Sequence, residues 1–244
     1  ANPAAESAPK RIRVMRIAAV SLAAAAVSGA AYVFFFTTAF ELREIRLNGG
    51  RYMPEDSLSA VLRTHLGCNI YTLPHSRLER ELKAFPEVAR VTFRRRPLHG
   101  LDCYVEERVP VALINLETIF GVDAGGVVLP LRSGPWDVDL PLITGISRDE
   151  AKTEKGARMI QRSMEVLQLL KDFDFSPAEL LSEIHVEDSD VILVLLDGGT
   201  LIQMGTGDYE EKVRKLRTVY GSLRDEESFP GFIDLRFERQ VVIR

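Results

Sequence analysis

Cysteine is nearly missing from this chain: Cys68 and Cys103 are the whole supply in 244 residues. Two cysteines build neither a disulfide framework nor a cysteine-rich metal site. One bond between them stays open in an oxidising compartment, if the Cα atoms come within about 7 Å. Cys103, however, alternates with Leu101 and Val105, as a small apolar residue on the buried face of a strand does. Histidine is scarce too, with four. His65 and His75 fall at helix edges, His99 in a turn, and His185 beside apolar Ile184 and Val186, with no metal spacing among them. Neither GxGxxG nor GxxxxGK[ST] occurs, so Gly198-Gly199 and Gly205-Thr206-Gly207 read as turns. The acidic pairs Glu106-Glu107, Asp172 with Asp174, and Glu226-Glu227 imitate the paired carboxylates of a glycan-cleaving site. Adjacent strand residues face opposite ways, and acids in loops are usually solvated. No catalytic, cofactor-binding or metal-binding residue is therefore expected, and no small-molecule substrate.

Positive charge is also in short supply where it would matter. The formal net charge is −4, and the cations Lys10, Arg11, Arg13 and Arg16 crowd the start. Removing those four and Glu6 from the 31 basic and 35 acidic residues leaves 27 and 34, a net of −7 for the remainder. Nucleic-acid binding wants a concentrated positive field, so it is excluded. With 46% apolar and 27% charged residues the chain matches folded domains rather than disordered segments.

What is present, behind the basic cluster, is one uncharged apolar run from Ile17 to Phe40. As a helix it reaches roughly 36 Å, enough for a hydrocarbon core of about 30 Å. A cleavable signal peptide is the main alternative, since Ser28 and Ala30 offer a small-x-small site. The run continues through Tyr32 to Phe36, beyond the ~7 to 15 residues of a signal core, so a retained span is expected. A buried soluble helix would show a polar stripe, and Ala18 to Ala39 has none. The positive-inside rule keeps residues 1–16 in the cytoplasm and sends 41–244 outward.

The first outward stretch reads β-α-α-β-β. Ile45 and Leu47 alternate with Glu44 and Arg46 as a strand that Asn48-Gly49-Gly50 breaks. Pro54 is placed to open a helix with Leu58, Val61, Leu62 and Leu66 as its stripe and Gly67 as its stop. Ser76-Arg77-Leu78-Glu79 has the form of a capping box opening a second helix, with Leu78, Leu82 and Phe85 inward and Pro86 beyond. Two strands follow: Ala89, Val91 and Phe93 inward against Arg90, Thr92 and Arg94, then Leu101, Cys103 and Val105 against Asp102, Tyr104 and Glu106.

From about Val111 the chain turns β-rich. Asp123-Ala124-Gly125-Gly126 joins two strands as a hairpin, Ile119 to Val122 and Val127 to Leu129. Ile160, Met164, Leu167 and Leu170 predict a helix from about Glu150 to Lys171. Strands are expected at Ile184 to Glu187, Val191 to Leu196 and Leu201 to Met204, the last two joined through Asp197-Gly198-Gly199. A further helix from Tyr209 to Arg224 carries Val213, Leu216, Tyr220 and Leu223 on one side. Ile233, Leu235 and Phe237 then alternate, before Val241-Val242-Ile243.

This order, with Phe40-Glu41-Leu42-Arg43-Glu44-Ile45, Gly67-x-Asn69-Ile70, Phe85-Pro86-Glu87-Val88 and Glu106 to Ala112, resembles a POTRA domain. One POTRA domain behind one span is similar to the bacterial FtsQ/DivIB cell-division family. Gly121-Val122-Asp123-x-x-Gly126-Val127-Val128, Leu140 to Gly145 and Phe232-Ile233-Asp234-Leu235-Arg236-Phe237 resemble that family's second, β-rich domain. Arg94-Arg95-Arg96-Pro97 departs from the pattern, which would have an aromatic near the Pro. The fold class expected is thus α+β: a cytoplasmic tail 1–16, a transmembrane helix 17–40, a POTRA domain 41–110, and a mixed α/β domain 111–244 dominated by an antiparallel sheet.

Binding, rather than catalysis, is the expectation. A terminal strand Phe237 to Ile243 leaves one row of backbone groups free for an incoming strand, or merely closes the fold. The resemblance implies the former, with FtsB, in complex with FtsL, added along Phe237, Glu238, Arg239, Gln240, Val241, Val242 and Ile243. Arg214, Arg217 and Arg224 on the neighbouring helix are solvated charges or contacts to acidic partner residues. The function implied is a non-enzymatic divisome scaffold in the cell inner membrane at the septum, its folded part periplasmic, linked to septal peptidoglycan synthesis. The alternative is a POTRA-based outer-envelope assembly or secretion component that receives unfolded β-strands; a peptidoglycan-processing enzyme comes third.

Overall fold

The computed structural model describes residues 8–49, 55–97, 99–131, 139–172, 180–188, 190–195, 199–223, 230–238 and 240–244. Pro54, Asp197-Gly198, Asp174, Arg224, Glu226-Glu227 and Arg239, all named above, lie outside them. The chain divides into two contact-dense units, residues 1–106 and 107–244.

The first unit begins with helix α1, Ala8–Phe36. Its stretch Arg13–Phe35 is long and apolar enough to cross a membrane, and none of that stretch is buried by protein. An apolar helix left uncovered by protein along all but its last turns is consistent with a single-pass membrane protein. A short 3-10 turn, Thr38–Phe40, leads out of it.

Beyond that turn come β1 (Glu44–Asn48), α2 (Glu55–Arg63), α3 (His75–Lys83), β2 (Val88–Arg96) and β3 (Gly100–Glu107). The sheet order is β1-β3-β2, with β1 parallel to β3. Leu58, Leu62, Leu78 and Leu82 from the helices are buried with Val88, Val91, Leu101, Cys103 and Val105 from the strands. The expected alternation is observed in β3; in β2 Val91 is buried and Ala89 and Phe93 are half-buried as expected, but Val88, out of phase with them, is buried too. Gly49 ends β1 at φ +98°, where an added Cβ would meet the Val105 carbonyl oxygen at 2.2 Å. Cys68 is exposed, Cys103 is buried, and both are free thiols.

The expected capping box is not formed. Pro74, not Ser76, stands at the cap of α3 and contributes no side-chain cap bond; its carbonyl accepts from Arg77 N at 3.0 Å and Leu78 N at 3.2 Å. Proline's fixed φ suits that position, so Ser76 falls inside the first turn. Glu79 pairs instead with Lys83 at 2.7 Å, one turn along.

The second unit contains β4 (Pro110–Leu116), β5 (Thr118–Asp123), β6 (Val128–Pro130), β7 (Leu142–Thr144), α4 (Glu154–Asp172), β8 (Leu181–Glu187) and β9 (Asp190–Leu195). After these come β10 (Leu201–Gln203), α5 (Tyr209–Leu223), β11 (Phe232–Asp234) and β12 (Val242–Ile243). They make one nine-stranded sheet ordered β12-β11-β10-β9-β8-β7-β4-β5-β6. Its pairings are mostly antiparallel, with parallel pairs at β4/β7, β7/β8 and β10/β11. The β5–β6 turn is closed by Asp123, which accepts from Gly125 N at 2.9 Å, Val127 N at 2.8 Å and Arg108 at 2.6 Å.

The predicted helix from Glu150 is interrupted. A 3-10 turn covers Glu150–Lys152, and α4 starts afterwards because the Thr153 hydroxyl caps it, accepting from Gly156 N at 3.2 Å. Gly156 is forced here: a Cβ would lie 2.1 Å from the Glu150 carbonyl oxygen.

One apolar row crosses the sheet. Ile114, Ile143, Ile184, Leu193, Ile202, Ile233 and Ile243 sit opposite one another on successive strands from β4 to β12. The first six are fully buried in the cluster that also holds Val166 and Leu170 of α4 and Val213 and Leu216 of α5. Ile243, last in the row, is 43% exposed.

Candidate functional site

Parallel strands need a crossover, and α5 supplies it between β10 and β11. The chain then leaves the sheet at a clasp. Asp234, almost buried, accepts from the Arg236 backbone amide at 3.0 Å and from its guanidinium at 3.0 and 2.7 Å. The hydrogen bonds from Arg236 hold the Asp234 carboxyl below its usual pKa. Leu235 is fully buried, and its amide donates to the Gln203 carbonyl at 2.9 Å. The opposite wall of this turn is Gly205, at φ +67°, where a Cβ would meet Arg236 Cγ at 2.7 Å.

The clasp corrects the expected strand from Phe237 to Ile243. Phe237 and Glu238 lie in a bend, and only Val242–Ile243 pair as β12, antiparallel to β11. Having turned at Arg236, the chain must reverse before it can pair again. Phe237 is left 44% exposed, and the Glu238 carbonyl accepts from Lys215 Nζ at 2.5 Å, which ties the bend to α5.

The register of β12 determines what its outer side offers. Phe232 and Arg244 exchange both backbone bonds, at 3.1 and 3.0 Å, and Asp234 faces Val242 two residues along. In an antiparallel pair such residues point their amides and carbonyls at each other, while alternate residues point away. Ile243 and Val241 therefore direct N–H and C=O outward. Among the described residues no strand lies beyond β12.

Beside the bend is a cavity of about 520 Å³, bounded among others by Thr206, Lys212, Lys215, Arg236 and Phe237. Burial lowers the pKa of the Lys212 ammonium, which donates to the Thr206 carbonyl at 2.5 Å. Arg214 and Arg217 do not line this cavity. With 3.6 residues per turn they point roughly 100° and 160° round the helix from Lys215. Arg214 is paired with Glu210 at 2.8 Å, and Arg217 is exposed. The cations that share this cavity with Phe237 are Lys212, Lys215 and Arg236; the sequence reading held Arg236 only as part of a family string and missed the two lysines. For the lysines the available signal was their adjacency to the buried stripe of Val213 and Leu216.

The best imitation of a catalytic group is on β7 and β8, where the Thr144 hydroxyl contacts both Glu183 and His185 Nδ1. A hydroxyl has one proton, and given to the Glu183 carboxylate it obliges His185 Nδ1 to donate. The imidazole then cannot act as base towards that oxygen. Among the described residues no group of three or more His, Cys, Asp or Glu side chains is arranged to hold a metal ion.

Comparison with known proteins agrees with this architecture. The family model described as cell division protein FtsQ/DivIB, C-terminal, matches residues 112–236, more than half of the chain. The chain belongs to the FtsQ/DivIB family. A second model, the POTRA domain of FtsQ type, matches residues 40–108. Among similar proteins named cell division protein FtsQ, that of Anaeromyxobacter sp. (strain K) is 32% identical over 223 residues, covering 88% of this chain and 75% of that protein. That of Geotalea daltonii is 28% identical over 212 residues, covering 85% and 77%. That of Syntrophotalea carbinolica is 23% identical over 233 residues, covering 94% and 83%. As an FtsQ/DivIB protein, this chain is a cell-division protein with a FtsQ-type POTRA domain and a large mixed sheet.

Proposed function

We propose that this chain is a membrane-anchored divisome scaffold, without chemistry of its own, that captures FtsB in complex with FtsL by adding a partner strand to β12. One observation carries the reading: Val241 and Ile243 aim their backbone groups away from the sheet at its edge. The apolar row supports it, because six buried members end in a half-exposed seventh, Ile243, that an eighth residue from a partner strand would cover. Phe237, Glu238 and Gln240 form the approach to the edge in this reading, and Arg239, named with them from the sequence, is counted among the partner-binding residues. Arg214 and Arg217 contribute rim charges. The scaffold would sit in the inner membrane at the septum with residues 41–244 in the periplasm, in domains 41–110 and 111–244, coupling early division proteins to septal peptidoglycan synthesis.

The test is photocrosslinking from positions 237 to 243 of the full chain in membranes. Recovery of a small coiled-coil membrane protein is expected. Recovery of an unfolded outer-membrane polypeptide would replace this reading with an envelope-assembly role.

A further inference from the structure

The end of α1 is bound to the POTRA domain by named contacts. The Asn69 side-chain amide donates to the Phe34 carbonyl at 2.5 Å, and Tyr71 N donates to the Asn69 side-chain oxygen at 2.9 Å. Three rings close around this joint: Phe34–Phe40 at 5.4 Å, Phe34–Tyr71 at 5.5 Å and Phe40–Tyr71 at 5.3 Å. Tyr71 is 48% exposed despite them.

Arg95, at the end of β2, lies over the Tyr71 ring at 6.0 Å, and its Nε donates to the Ile70 carbonyl at 3.0 Å. That uses one of the five guanidinium N–H groups and leaves the terminal fork unengaged among the described residues. Glu41, which follows Phe40 and bridges Asn69, has its own cation, Arg43, at 3.9 Å. Phe34 lies two residues from the end of a helix that rises about 1.5 Å per residue. A ring stacked on Phe34 is thus at the level where a span leaves hydrocarbon for headgroups. Amphipathic aromatics favour that level, and a guanidinium fork matches a phosphate.

We propose that the Tyr71–Arg95 side of the POTRA domain rests on the outer membrane-facing surface of the bilayer, with Tyr71 among the headgroups and Arg95 bonded to a phospholipid phosphate. The inference rests on reading α1 as a membrane span. It makes the aromatic joint a device that fixes how the POTRA domain stands on the lipid.

The experiment uses the full chain carrying Cys68→Ser and a nitroxide on Thr72→Cys, in phosphatidylethanolamine–phosphatidylglycerol vesicles. Collision with oxygen against collision with a water-soluble nickel chelate reports depth. A label on Val27→Cys is expected deep in the bilayer and the label at Thr72 at interface depth. Arg95→Gln, which keeps the stem and a donor for Ile70, is expected to shift the Thr72 label toward water, and Arg95→Lys to shift it less. A water-exposed label at Val27 would overturn the span itself. A deep label at Val27 with a Thr72 label as accessible as a dissolved nitroxide would overturn the lipid contact alone. No shift in either Arg95 variant would overturn the role given to Arg95.

Discussion

Asp234 receives three hydrogen bonds from one neighbour, and this makes the turn beside the β12 edge sensitive to acid. Its native pKa is lowered by Arg236, so the carboxylate stabilises the fold above its unfolded value of about 4 and loses that contribution as pH falls through the native value. Partner capture measured from about pH 6 downward is expected to fall in the acid range, with Asp234→Asn weaker already at neutral pH and flatter below. The cost of that substitution is about 1–3 kcal/mol, as for a hydrogen bond to a charged group. Little of this was legible from residue types. Asp-Leu-Arg at 234–236 was recognised as a family string, but that its first and third members grip one another is a property of the turn. Cys103 was legible, because strand alternation alone put it inward; burial pushes its thiol up to about 12.

At the scale of elements, β12 separates two substitutions of the same chemistry. Proline at Ile243 removes an amide that points outward, whereas proline at Val242 removes one paired with β11. Ile243→Pro is expected to keep thermal stability and lose crosslinking to the partner, while Val242→Pro loses roughly 1–3 kcal/mol in a denaturant melt. Long periodic elements were read correctly: α5 and the stripe Val213, Leu216, Leu223 needed only a 3.6-residue repeat. Boundaries governed by caps were not. Pro74 took the start of α3 from Ser76, and Thr153 split the helix expected from Glu150, because which residue caps depends on backbone angles that composition does not display. Strands of three residues, such as β7 and β11, are too short to show a period of two.

For the whole molecule, the two hydrophobic clusters share no buried residue. Leu82→Ala should cost about 2–5 kcal/mol by leaving a cavity in the first core. Hydrogen exchange is expected to speed in β3 and to stay unchanged in β9. The long apolar helix, the α+β class and the β-α-α-β-β order were visible because each depends on local runs and repeats. The nine-strand order was not, since parallel pairs such as β4/β7 and β10/β11 join residues far apart in sequence.

From β7 to β12 the sheet is laid down in chain order, each strand covering the margin left by the one before. A chain truncated after β10 would therefore present a different margin, with Ile202 where Ile243 stands and no Asp234–Arg236 turn beside it. In the proposed reading, a chain carried through Ile243 would display the partner-binding border and one that stops after β10 would not, so partner capture would tell the two apart.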